Sequence, residues 1–201
     1  VTQEHVSQTW QRIESWLREC APATYGALPP PATREEIAAA ENDLGLTLPT
    51  ELADSLLCHN GSDPMRLPPV YVLLGTRSIV DHQQLQVEIE NETRQEYLAQ
   101  DIPLEIDGIH ARWHPEWIAV ASDDGGGYLA VDDRPGMRRG RIGSRDEIGE
   151  ISFPSDHAWG SLSSFLRAAA DALETGDPFN GFRRIVDDSG RLGWDRVADR
   201  G

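Results

Sequence analysis

The chain contains no lysine. A phosphate loop of the nucleoside-triphosphate type places a lysine on the phosphates, so that class lacks its central side chain here. Positive charge is scarce altogether: all 18 bases are arginine, set against 34 acidic residues for a formal net charge of -16. A surface of that sign repels nucleic acid and anionic membrane and favours basic partners. Cysteine is nearly absent as well. Cys20 and Cys58 permit one disulfide by arithmetic, but two cysteines in 201 residues do not make a secreted disulfide scaffold. Both fall in helix-like sequence and read as reduced thiols. No stretch approaches about 18 consecutive apolar residues, and no basic-then-apolar leader opens the chain. These absences predict a soluble, cytoplasmic protein, with neither nucleic acid nor membrane among its partners.

What is present suits one well-cored domain. The hydrophobic share is 39%, and six tryptophans add large buriable surfaces. Trp10, Ile13, Trp16 and Leu17 form the apolar stripe of a first helix, which Ala21-Pro22 is expected to end. The run LPPPAT is a rigid lead-in to Thr33, an N-cap whose capping box closes with Glu36. Ile37, Ala40 and Leu44 line the next helix, and Gly45 is its left-handed stop. Leu52, Leu56 and Leu57 mark a third helix, ending at His59-Asn60-Gly61. The second and third helices, joined by a short link, are expected to pack on each other.

Residues 70–75 read as a strand, and 78–99 as a helix with Val80, Leu85, Val87 and Ile89 as apolar members. The second half changes period. Strands are expected at 117–121 and 128–131, with further pieces near Arg141 and at 150–154. A clear helix follows over 161–173, on Leu162, Phe165, Leu166, Ala169 and Leu173. Helices, then a small mostly antiparallel sheet, then a closing helix make an α+β fold. The expected division is a single domain over 1–175, with an extension over 176–201 docked on it as a hairpin or strand.

The stretch SDDGGGYLAVDD tests the case for chemistry. Its glycines precede a strand pattern, not a helix, and Asp123 and Asp124 would face any phosphate with like charge. Calcium suits the charges better, but the alternating ligands of an EF-hand loop are missing. Asp123, Asp124, Asp132 and Asp133 could converge on an incidental cation only if the hairpin folded back. The simpler reading is a sharp turn. His110 and His114 stand four apart, yet Pro115 argues against a regular helix there, and no HExxH or cysteine pattern completes a zinc site. Cys58 adjoins His59, but adjacent helical residues point apart. Ser161, Ser163 and Ser164 read as helix caps. No catalytic residue, cofactor site or metal site is assigned.

Two features point to recognition. The segment 81–107 holds eight acids, with Arg94 its only base. From it Asp81, Glu88, Glu90, Glu92 and Glu96 are the candidate partner-binding residues; the alternative is the wet face of a helix. Trp113, Trp117 and Tyr128 form an aromatic group that reads first as core, with one edge, at Trp113, as a candidate interface anchor.

The order of these segments resembles the SUKH superfamily, which includes the yeast cell-wall-synthesis regulators and many bacterial proteins. The resemblance is carried by Pro31 and Ala-Thr-Arg-Glu-Glu-Ile to residue 37, then Glu41, Leu44-Gly45, Leu48-Pro49, Leu52, Leu56 and His59-Asn60-Gly61. It continues through the strand from Trp117 to Ala121, Asp124-Gly125, Asp132 and the closing helix, covering roughly residues 8–173. It implies an α+β fold and a non-catalytic protein-binding role, with Gly61, Trp117 and Gly125 structural. Bacterial members are often immunity proteins that occlude a toxin, in many cases a nuclease; fungal members are regulatory scaffolds. The expected partner is a basic protein, such as a toxin domain, bound by a monomer or weak dimer. The acidic helix with the segment to Asp107, and the tail beyond Gly176, are not matched by the motifs that carry the resemblance.

Overall fold

The computed structural model describes residues 5–68, 70–100, 113–123, 125–136, 139–145, 151–153 and 159–197. Six helices and seven strands lie among them. The N-terminal helices are α1 (Val6–Cys20), α2 (Pro22–Ala27), α3 (Arg34–Leu44) and α4 (Thr50–Leu56). The strand β1 (Val72–Leu73) and the long helix α5 (Thr76–Ala99) come next. Then follow β2 (Trp117–Ser122), β3 (Tyr128–Asp132), β4 (Ile142–Arg145), β5 (Ile151–Ser152), α6 (Leu162–Thr175), β6 (Phe182–Val186) and β7 (Leu192–Arg196). The fold is α+β: β1 to β5 form one antiparallel sheet in chain order, and β6 pairs with β7 in a separate hairpin.

Local chemistry accounts for several boundaries. Thr33 Oγ1 accepts the Glu36 amide at 3.1 Å while the Glu36 carboxylate accepts the Thr33 amide at 2.7 Å, a reciprocal box that starts α3. Gly45 stops that helix at φ +69°. Ser161 and Ser164 make the same box for α6, whose first turn also binds Glu51: the Ser163 amide and hydroxyl donate to its two oxygens at 3.0 and 2.8 Å. α1 ends at Cys20 with Ala21 as its C-cap, as expected. Pro22 then opens the additional short helix α2, because proline at the first helical position lacks only an amide hydrogen that would have no partner there.

The core lies between helices and sheet as one contiguous apolar cluster. α1, α4 and α6 pack together, and α5 lies on β2. α3 packs on α5 and α4 faces α1 and α6, which corrects the expectation that the second and third helices pair. Each has one apolar face, and α5, distant in sequence, offers α3 a better partner than its neighbour does. Trp117, Ile118, Ala119, Val120 and Ala121 are all buried, so both faces of β2 are covered. A register shift between Ala119 and Ala121 marks Val120 as an extra residue, and its carbonyl accepts the Leu74 amide at 3.0 Å. The strand expected over 70–75 narrows to Val72–Leu73: the Leu73 amide and carbonyl bond to Ser62, at 2.9 and 3.1 Å, covering that edge.

The glycine stretch is a turn. Asp123 Oδ1 accepts the amides of Gly125 and Gly127, each at 2.8 Å, and Gly126 takes φ +93°. Asp124 lies outside the described residues. The tail hairpin docks on α2 and α1: the Gly190 carbonyl accepts the Ala23 amide at 3.1 Å, Thr24 Oγ1 accepts the Leu192 amide at 2.8 Å, and the Arg184 guanidinium lies 4.9 Å from the Trp16 ring centre.

Candidate protein-binding face

The start of α5 is fixed from outside the helix. Gly75, its N-cap, has no side chain, and Asn60 Oδ1 accepts the Thr76 amide at 2.7 Å in its place. Gly61 and Gly75 let the two backbones meet: a Cβ on Gly61 would lie 2.9 Å from the Gly75 nitrogen, and one on Gly75 would lie 2.7 Å from the Asn60 carbonyl oxygen. The His-Asn-Gly motif is thus the bracket that aims α5. An open cleft of about 420 Å³ runs beside it, with Asn60, Arg77, His82 and Ser122 in its lining.

From that bracket α5 buries Thr76, Ile79, Val80, Gln83 and Gln86. Gln83 Nε2 donates to the Pro115 carbonyl at 2.7 Å, tying the helix to the lead-in of β2. Turning about 100° per residue, Asp81, Leu85, Glu88, Glu92 and Glu96 fall within an arc of roughly 80° on the opposite side, and all five are exposed. The stripe is about 22 Å long at about 1.5 Å per residue. Leu85, one of the expected apolar members of the helix, is 48% exposed in the middle of the stripe, while Gln83 and Gln86 occupy inward positions. Asp81 pairs with Arg77 at 3.0 Å, an exposed pair that contributes little to stability.

Glu90 stands apart from the other four acids. It is half-buried on the far side, and its Oε2 accepts the Trp113 amide at 3.3 Å. Trp113 is 1% exposed and meets Trp117 edge-on at 6.1 Å between ring centres. Its ring is core and leaves no exposed edge for a partner.

Three of the other candidate carboxylates are held separately. Asp132 is fully buried and takes Arg134 Nε and Nη2 at 2.8 Å each, with that guanidinium 5.3 Å from the Trp117 ring centre. Asp133 pairs with Arg139 at 3.0 Å, and Asp123 serves the turn, so these three carboxylates do not converge. No group of three or more metal-ligating side chains comes together among the described residues. Burial, with Arg134 nearby, lowers the pKa of His114. His59 is engaged at both ring nitrogens, Nδ1 with the Pro29 carbonyl at 2.6 Å and Nε2 with Glu14 at 3.2 Å. Burial first, then the charges of Glu14 and Asp54, push the Cys58 thiol up to about 11, which makes it a poor nucleophile at neutral pH. His110 and Asp107 lie outside the described residues. No helix among the described residues is long and apolar enough to cross a membrane.

Comparison with known proteins gives the family context of this face. Residues 31–167 match the SMI1 / KNR4 family (SUKH-1), a narrower span than the 8–173 read from the sequence. The cell wall biosynthesis/cell cycle regulator smi1 of Schizosaccharomyces pombe is 29% identical over 147 residues, which cover 65% of this chain and 29% of that protein. The glucan synthesis regulatory protein of Neurospora crassa is 25% identical over 173 residues, covering 66% of this chain and 32% of its own length. A KNR4/SMI1 homolog of Eremothecium gossypii is 39% identical over 54 residues, 27% of this chain and 8% of that one. The chain therefore spans less than a third of the length of these relatives.

Proposed function

The chain belongs to the SMI1 / KNR4 family (SUKH-1), and on that footing we propose that it is a regulatory protein-binding module that holds a basic partner against the outer face of α5. The observation that carries this reading is the collection of Asp81, Glu88, Glu92 and Glu96 on one exposed side of a helix that is anchored through its first half, Thr76 to Gln86. Complementary charge of this kind accelerates encounter and rejects partners of the wrong sign. Leu85 adds an apolar contact within the stripe. The similar proteins named as regulators support a role in control through binding, and no bond is made or broken.

A second class of partner is a basic toxin domain, with this chain as its immunity protein. The net charge of -16 favours it: a nuclease presents positive charge to hold a phosphate backbone, and carboxylates compete for that surface. Occlusion is then the mechanism. Affinity purification at low salt, with the full chain and with E88R/E92R/E96R as paired baits, tests the face. A protein with a basic surface should be retained by the first and lost by the second at equal thermal stability. Equal retention by both, or retention only of acidic proteins, refutes the placement. A gene immediately upstream encoding a long protein with a toxin-like end would select immunity over regulation.

A further inference from the structure

The two halves of α5 are held very differently. Every buried residue of the helix lies between Thr76 and Gln86, and none of residues 87–99 is buried. By contrast, α6 buries residues along nearly its whole length, from Leu162 to Leu173. In the outer half of α5, Val87 packs part-buried against the core at its start, Ile89, Glu90, Thr93 and Tyr97 are only half-covered, and Leu98 is 63% exposed. A helical segment of that length without a buried face is marginal in water.

Charge weakens it further. Glu88, Glu92 and Glu96 repeat at i,i+4, a spacing at which like charges destabilise a helix. Glu96 also lies in the last turn, where the helix dipole is negative, and no basic residue stands there to offset it. Gln100 ends the helix without a left-handed cap. Arg94 is the only opposite charge in this half.

We infer that the outer half of α5 is a charge-governed segment, loosely held in the free chain and ordered when positive charge lies along Glu88, Glu92 and Glu96. This extends the reading of α5 as a docking face: the surface offered to a basic partner is completed by that partner, which bears the ordering cost and becomes easy to release when salt screens the contact.

Amide hydrogen exchange on the full chain tests this, read separately over 76–86 and 90–99. In the free protein the outer amides should exchange roughly tenfold or more faster than the inner ones. E88Q/E92Q/E96Q should slow the outer set about three- to thirtyfold and leave the inner set unchanged. Added decalysine at low salt should protect the outer set of the wild type and have little effect on the variant. Outer amides as protected as inner ones, or no gain in the glutamine variant, would overturn the inference. A gain in the variant with no response to decalysine would show that charge loosens the segment but that positive charge does not order it, and would overturn the inference. The paired-bait purification judges the basic-partner reading by itself, so the two fail separately.

Discussion

Adding one methyl group at Gly75 should disconnect α5 from the bracket that aims it. The Gly75 backbone has an ordinary φ of -79°, so alanine imposes no conformational strain and the whole effect is steric. Its Cβ would sit 2.7 Å from the Asn60 carbonyl oxygen, 2.9 Å from Oδ1 and 3.2 Å from the carbonyl carbon. The main chain cannot swing aside as a flexible side chain would: the Asn60 amide donates to the Pro30 carbonyl at 2.9 Å, and Gly61 is packed against Gly75. Overpacking of this kind costs about 1–3 kcal/mol. If relief breaks the 2.7 Å bond from the Thr76 amide to Asn60, the lost cap adds about 1 kcal/mol. Gly75→Ala should therefore lose about 2–4 kcal/mol, which in a chain of this size lowers the thermal midpoint by about 5–15 °C. Gly26→Ala is the control. Gly26 lies within α2 with nothing within 4 Å of an added Cβ, so that change should gain about 0.5–1 kcal/mol. Urea and thermal unfolding followed by tryptophan fluorescence measure both. A Gly75→Ala protein within about 0.5 kcal/mol of wild type would refute the bracket.

Other expectations concern separate parts of the fold. Arg134→Met leaves the buried Asp132 carboxylate without its guanidinium and should cost about 3–5 kcal/mol; R134M combined with D132N, which removes the stranded charge, should recover part of that loss in the same unfolding assay. Thr33→Ala opens the α3 capping box and should cost about 1 kcal/mol, read as a lower urea midpoint. Burial raises the Cys58 thiol to about 11, so at pH 8 little of it is thiolate and alkylation should modify the exposed Cys20 well ahead of Cys58. Cys58 labelling, followed by mass spectrometry, should accelerate as pH rises toward 11, and equal rates at pH 8 would contradict the burial argument.

Local signals were the most legible part of this sequence. Thr33 with Glu36, Gly45 as a stop, Ser161 as a cap and Asp123 before the glycines each act within a few residues, and each is found in its expected role. What escaped depended on neighbours far along the chain. α1 ends before Pro22 as expected, but the short helix that Pro22 begins was not anticipated, and the Gly190 turn docks on its Ala23 and Thr24. The pairing of α3 with α5 cannot be read from α3, whose apolar stripe suits any flat partner. On α5 the 3.6-residue period already separates Asp81, Glu88, Glu92 and Glu96 from Glu90. Apolar content alone did not show that Gln83 takes an inward place, where the Pro115 carbonyl accepts from its amide, while Leu85 faces outward. Trp113, expected as an interface anchor, is core instead, its ring packed edge-on against Trp117, and its neighbour Glu90 bonds its backbone from the inward side of the helix.

The central claim is that an acidic helix face guides this chain onto a basic protein. The most direct measurement is the association rate with the purified partner across a series of ionic strengths, for wild type and for E88R/E92R/E96R. The account predicts a wild-type rate that falls steeply as salt rises, and a variant that associates at least about tenfold more slowly at low salt with little salt dependence. Matching rates and matching salt slopes for the two proteins would contradict it.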